Sequence, residues 1–137
     1  MNAMATLLRI DASAQQQDRS LTRMLTEFFT TELLQANPDA EVITRDIGQD
    51  PVPAIDHRFI NAAFTSPEAR EDRITDRLAP SDALIDEVVA EGIIVMGAPM
   101  YNYGMPAALK GWIDHVAPIG RTFSFDLGCG TFQSNRF

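Results

Sequence analysis

Short apolar runs alternate along this chain with segments of helical period, the pattern of a parallel sheet covered by helices. Thr6 to Ala12 predicts a first strand, and the polar loop Ser13 to Arg19 follows at once. Ser20 stands where a helix N-cap belongs, and Leu21, Met24, Leu25 and Phe28 then keep the i, i+3, i+4, i+7 spacing of a buried stripe. Asn37-Pro38 ends that helix, and Glu41 to Asp46, centred on Val42 and Ile43, predicts a second strand. Gly48 to Ala54 carries Pro51 and Pro53 and reads as loop, and His57 to Phe64 as a short helix.

Ser66-Pro67-Glu68 has a helix-start composition, so a charged surface helix is expected over Glu68 to Leu78. Pro80 is expected to break it and Ser81 to cap a new helix, with Leu84, Ile85, Val88 and Val89 facing inward. In Gly92 to Ala98, Ile93 to Met96 are apolar without alternation, as in a parallel strand covered on both faces. After the loop Pro99 to Met105, Pro106 opens a helix with the stripe Leu109, Trp112, Ile113 and Val116. Thr122 to Phe125 can form a short strand, and the last dozen residues show no usable period.

The fold class is therefore α/β, and 137 residues hold one domain. Its 45% apolar and 22% charged content is that of a globular protein. The formal charge of −8 disfavours a nucleic-acid partner. No stretch is long enough for a membrane span or a secretory h-region, so a cytoplasmic protein is expected. One cysteine, Cys129, excludes an internal disulfide, and His57 and His115 have no metal-ligand spacing.

In open α/β sheets ligands bind outside the carboxyl ends of the strands, where the strand order reverses. For the order 2-1-3-4-5 that crevice lies between strands one and three, and the loops after those strands have the unusual compositions. The first, Asp11 to Thr22, is bracketed by Ser13, Ser20 and Thr22 and leads into a helix start. Hydroxyls, free N–H groups and the helix dipole together suit a phosphate monoester. The plain alternative is that Ser20 only caps the helix while Ser13 and Thr22 are solvated. The loop lacks the glycine spacing of an ATP or dinucleotide site, and no Gly-x-Ser-x-Gly elbow makes Ser13 a nucleophile. The second loop, Gly97 to Pro106, offers Pro99, Met100, Tyr101, Asn102 and Tyr103. Flat apolar walls with an amide dipole suit a flavin ring, though tyrosine-rich loops also serve interfaces.

The run Pro99-Met100-Tyr101-Asn102-Tyr103-Gly104-Met105-Pro106, with Ala107-Ala108-Leu109-Lys110-Gly111-Trp112-Ile113-Asp114, resembles the flavin loop and helix of the FMN-dependent NADH azoreductase and NAD(P)H:quinone oxidoreductase family. Ala12-Ser13 with Ser20-Leu21-Thr22 is similar to its phosphate loop, and Gly120-Arg121-Thr122-Phe123 to the stretch after its helix. The resemblance implies a flavodoxin-like, doubly wound parallel sheet in three α/β/α layers. It implies that Ser13, Ser20, Leu21 (through its backbone) and Thr22 hold the FMN phosphate, and that Pro99, Met100, Tyr101, Asn102 and Tyr103 cradle the ring. Tyr103 stands where the family often has Phe. No catalytic side chain and no metal are implied, because the flavin carries the chemistry. NADH or NADPH is the implied co-substrate, with two electrons passing by ping-pong to a quinone or azo compound in a homodimer.

Only three strands of the five are expected here, and residues 127–137 match nothing in the family, so the domain is expected to be incomplete at its end. Strand three then becomes an edge. Three readings stay open: the reductase, a flavodoxin-like electron carrier, and an inactive remnant of the reductase.

Overall fold

The computed structural model describes residues 6–90, 92–117, 123–126 and 131–134. Along these the elements are β1 (Thr6–Asp11), a 3-10 turn (Gln17–Arg19), α1 (Leu21–Ala36), β2 (Glu41–Arg45), α2 (His57–Ala63), a second 3-10 turn (Pro67–Ala69), α3 (Asp72–Ala90), β3 (Ile93–Gly97), α4 (Ala107–Val116), β4 (Phe123–Asp126) and β5 (Thr131–Ser134). Pro118, Gly120, Arg121, Thr122 and Cys129 lie outside the described residues, as does much of 127–137. The chain divides into two compact units: one drawn from Met1–Val52 and Ala90–Trp112, the other from Pro53–Val89 and Ile113–Phe137.

The first unit holds a parallel sheet in the order β2-β1-β3, as the alternation of elements requires. Leu7 faces Val42 and Ile93, and Ile10 faces Arg45 and Met96, so all three strands release their chains at the same edge. Leu7, Leu8 and Ile10 are fully buried in the central strand. Strand β3 is the edge expected of it. Its apolar run is not covered on both faces, however: Ile94 and Met96 are exposed while Ile93 and Val95 are half-buried.

Helix α1 corrects the sequence expectation more sharply. The stripe Leu21, Met24, Leu25 and Phe28 is exposed, up to 67% at Leu21. The buried face carries Arg23, Thr26 and Thr30, which keep the same helical spacing about one face around. The reason lies in β1, which places Arg9 and Asp11 under the helix as a buried polar pair with Nε–Oδ2 2.9 Å apart. Buried polar groups require partners, and only the polar face of α1 supplies them. The Thr26 hydroxyl donates to Asp11 Oδ1 at 2.6 Å, Arg9 pairs with Glu27, and the Thr30 hydroxyl donates to the Thr26 carbonyl at 2.7 Å.

In the second unit, Asp56 caps α2 by accepting from Phe59 N at 2.8 Å and pairs with Arg77 at 2.8 Å. These contacts, the amide first, hold its carboxyl down to about 2. Phe59, Ala62 and Leu78 form a buried cluster with Ala63 and Ile74 packed against it. The helix break expected at Pro80 does not occur, since α3 runs through it. One stripe, Leu78, Ser81, Ile85 and Val88, continues across the proline, so its burial outweighs the single lost backbone bond. Val89, expected inside, is exposed. Ser66-Pro67-Glu68 starts only the 3-10 turn, and the α-helix begins at Asp72. In α4 the expected stripe holds, with Leu109, Trp112 and Val116 buried. Strand β4 answers the expected Thr122–Phe125 strand and pairs antiparallel with β5, which the sequence did not signal.

Candidate functional site

The register of the sheet brings both candidate loops to one end. Ala12 N still donates to the Gly97 carbonyl at 2.9 Å, which extends the β1–β3 ladder to the last residue before Ser13. From there the chain turns under the start of α1. Ser13 and Ser20 are 2% and 5% exposed, Thr22 is half-buried, and the Leu21 side chain points to solvent. Ser20 does cap α1: its Oγ accepts from Arg23 N, although at 3.4 Å, and lies 3.2 Å from Thr22 Oγ1. Ser13 Oγ accepts from Gln15 N at 3.2 Å. A capping hydroxyl that accepts from the backbone can still donate, although the Ser20–Thr22 contact commits one of those two O–H groups. Helix geometry gives the N–H groups of Leu21 and Thr22 no acceptor within the helix. Hydroxyl donors and free N–H groups therefore converge at a positive helix end, which is the donor set a phosphate dianion needs.

Sequence reasoning missed what fixes this loop. The buried Arg23 donates from Nη2 to the Ser13 carbonyl at 2.6 Å, and from Nη1 and Nη2 to the two oxygens of Asp46, both at 2.6 Å. The Asp46 hydrogen bonds raise the Arg23 pKa above its usual value, and Arg23 holds the Asp46 carboxyl below the ordinary carboxylate range. Both shifts favour the ion pair. Asp46 also accepts from Gln49 N at 3.0 Å, and the Gln49 side chain donates to the Ala14 carbonyl at 3.0 Å. Gly48 N donates to the Asp11 carbonyl at 3.0 Å. A β-carbon on Gly48 would lie 2.0 Å from the Ser13 carbonyl oxygen, so only glycine fits there. The available signal was Arg-Asp-Ile-Gly directly after an apolar strand.

The loop after β3 is built otherwise. Tyr101 and Gly104 exchange both backbone bonds, at 2.9 and 3.0 Å, closing a two-residue hairpin. Its central residues, Asn102 and Tyr103, have φ of 48° and 62°. This left-handed turn suits Asn and is uncommon for a bulky side chain such as Tyr. Tyr103 is 98% exposed, and Met100, Tyr101 and Asn102 are also exposed, while Pro99 is half-buried. Beyond the strand ends the loops are joined again: Ala14 N donates to the Tyr101 hydroxyl at 3.0 Å. The phosphate-side and ring-side candidates thus lie side by side, aromatic and amide groups on one flank and hydroxyl and N–H donors on the other.

The comparisons with known proteins agree with this geometry. The family model described as Flavodoxin-like fold matches residues 5–134. The chain belongs to this family. It is 43% identical over 135 residues to an FMN-dependent NADH:quinone oxidoreductase 2 of Colwellia psychrerythraea, covering 94% of this chain and 62% of that one. The corresponding protein of Idiomarina loihiensis is 42% identical, with 94% of this chain and 56% of the relative covered. An FMN-dependent NAD(P)H:quinone oxidoreductase 1 of Pseudomonas aeruginosa is 38% identical, with 95% and 61% covered. The chain therefore spans about 56–62% of the length of these curated relatives. Among solved structures, a Bacillus anthracis azoreductase aligns with a TM-score of 0.80 at 22% identity, covering 91% of this chain and 61% of that one. A B. anthracis FMN-dependent NADH-azoreductase in complex with FMN aligns at 0.81 and 16% identity, with 96% and 63% covered. These structures establish the fold alone.

Proposed function

We propose that this chain forms the FMN-binding part of an NAD(P)H:quinone oxidoreductase. The observation that carries the reading is the pair of loops at adjacent strand ends, joined by Ala14 N and the Tyr101 hydroxyl. The names of the relatives at 38–43% identity support it. In this reading Ser13, Ser20 and Thr22, with the amides at the start of α1, hold the FMN phosphate. Pro99, Met100, Tyr101, Asn102 and Tyr103 flank the ring, with Asn102 at its polar edge. FMN held there would supply two-electron redox chemistry between NADH or NADPH and a quinone or azo acceptor. The protein's own task is to hold the phosphate, orient the ring and keep its face open to one flat substrate at a time. Alternating use of one face gives ping-pong kinetics.

We place both compact units in one flavodoxin-like domain, because the family match runs through both. A homodimer and a cytoplasmic address complete the proposal. The exposed Met100 and Tyr103 offer contact surface for the dimer.

The test is initial-rate kinetics with NADH and a small quinone on the flavin-loaded chain. Parallel double-reciprocal lines are expected. Flavin retention without quinone reduction would favour a flavodoxin-like electron carrier, and failure to retain flavin an inactive remnant.

A further inference from the structure

The ion network beneath the first loop does not by itself attract a phosphate. Arg9 and Arg23 stand against Asp11, Glu27 and Asp46, two cations among three carboxylates. Its contribution must be geometric. Arg23 is 4% exposed, its Nε has no hydrogen-bond partner, and its two terminal nitrogens are committed to Asp46 and the Ser13 carbonyl. Ser13 and Ala14 are joined by a trans peptide, so the C=O of Ser13 and the N–H of Ala14 point in opposite directions from one rigid plane. Arg23 holds the carbonyl inward, against Gly48, and the same plane therefore presents Ala14 N–H outward to the Tyr101 hydroxyl. Gln49, itself held by Asp46, fixes the next carbonyl, that of Ala14.

We infer that Arg23, clamped by Asp46, is a positioning residue that sets the Ser13–Ala14 peptide plane and thereby couples the phosphate loop to the Tyr101 hairpin. Its functional consequence rests on the flavin reading above: Arg23 governs preference for FMN over riboflavin and contacts neither. Rotation of the plane would turn the Ser13 carbonyl, an acceptor, toward the phosphate and withdraw the donor from Tyr101. One buried guanidinium then sets donor polarity on one side of the site and hairpin position on the other.

The test compares Arg23→Met, Tyr101→Phe and the double variant of the full 137-residue chain. Amide hydrogen exchange is measured without ligand, and FMN and riboflavin affinities by titration. In Arg23→Met, exchange at Ala14 should quicken at least about tenfold relative to the β1 amides, and the FMN-to-riboflavin preference should fall about tenfold, the worth of one hydrogen bond. Arg23→Lys, which keeps the charge and loses the fork, should restore only part of that preference. Tyr101→Phe alone should weaken FMN about fivefold and quicken Ala14 exchange, yet add less than about twofold on top of Arg23→Met. Independent sites would instead multiply their effects, and that result overturns the coupling. Unchanged Ala14 exchange in Arg23→Met overturns it as well. Should Arg23→Met not fold, Asp46→Asn frees the same guanidinium and is read in the same way, and Tyr101→Phe tests the plane from its exposed side. A parent chain that binds neither flavin overturns the functional reading, while the exchange measurement still decides the inference.

Discussion

In the loop after β1 the carbonyls of Ser13 and Ala14 are bonded by Arg23 of α1 and by Gln49, Asp46 after β2 holds both of these, and Gly48 packs directly against the Ser13 carbonyl. In the loop after β3 the hairpin is closed by its own two backbone bonds and one bond to the first loop, and its side chains stand in solvent. A proposed phosphate contact needs fixed donor direction, and the loop after β1 is anchored at its two ends by the buried Ser13 and Ser20 and by Arg23 beneath it. A proposed ring contact needs flat contact area, and the loop after β3 presents exposed aromatic surface that gains burial only when something covers it. Equivalent changes in the two loops should therefore differ greatly in effect.

The largest difference is expected from alanine in place of glycine. Gly48→Ala drives a methyl group into the Ser13 carbonyl and should destabilise the chain by about 3 kcal/mol while abolishing preference for FMN over riboflavin. A β-carbon on Gly104 would sit at an ordinary 3.8 Å from the Tyr101 carbonyl, so Gly104→Ala should cost less than about 0.5 kcal/mol. Urea midpoints of the two variants check the comparison, and equal shifts would erase it.

Next comes the clamp. Asp46→Asn strands the Arg23 charge and should cost about 2 kcal/mol, less than for a fully buried pair because the Asp46 side chain is 37% exposed. The pH dependence follows from the sign of the shift. The Asp46 carboxyl is depressed in the folded chain, so its contribution is complete above the ordinary value of 3.8 and is lost as pH falls through the lower folded value. The parent chain should therefore lose stability on acidification below that point, and Asp46→Asn should flatten this part of the profile in acid titrations of the melting temperature.

A smaller effect separates capping from binding at Ser20. The long 3.4 Å cap predicts that Ser20→Ala loses only about 0.5 kcal/mol of stability, whereas a phosphate contact predicts about 1–3 kcal/mol of FMN affinity. Calorimetric titration with FMN and riboflavin decides: a loss confined to stability, with FMN affinity unchanged, supports the cap alone.

The smallest effect belongs to the ring side. Tyr103→Gly relieves a left-handed backbone worth about 1 kcal/mol and gives back part of that through glycine's chain entropy, leaving a net gain of about 0.5 kcal/mol in the unliganded chain. Flavin affinity should fall at the same time. Thermal melts with and without FMN would show the two effects in opposite directions.

The same contrast explains what was legible in the sequence. The order of strands and helices was, because Leu7 to Ile10, Val42-Ile43 and Ile93 to Met96 are apolar runs bounded by turn residues. So was the presence of a loop after β3, because its Pro, Gly and Asn content is local. The apolar period of α1 misled, since Leu21, Met24, Leu25 and Phe28 mark the open face and the buried face is polar. Only the pairing of Arg9 and Asp11 with Thr26 and Glu27, across 15 to 18 residues, shows why. Arg23, Asp46 and Gly48 went unseen for the same reason: their roles are contacts between strand ends, and no local spacing reveals them. Pro80 misled in the opposite direction, a strong local signal overridden by the burial of Leu78, Ser81 and Ile85.

A held loop after β1 stands beside an open hairpin after β3, and the proposed function gives the first the FMN phosphate and the second the ring. Titration of the flavin-free 137-residue chain with FMN and with riboflavin tests it most directly. Because the phosphate side is preformed and the ring side is not, FMN should bind at least about a hundredfold more tightly than riboflavin, two charge-assisted hydrogen bonds' worth. Equal affinities for the two flavins, or no binding of FMN, would contradict it.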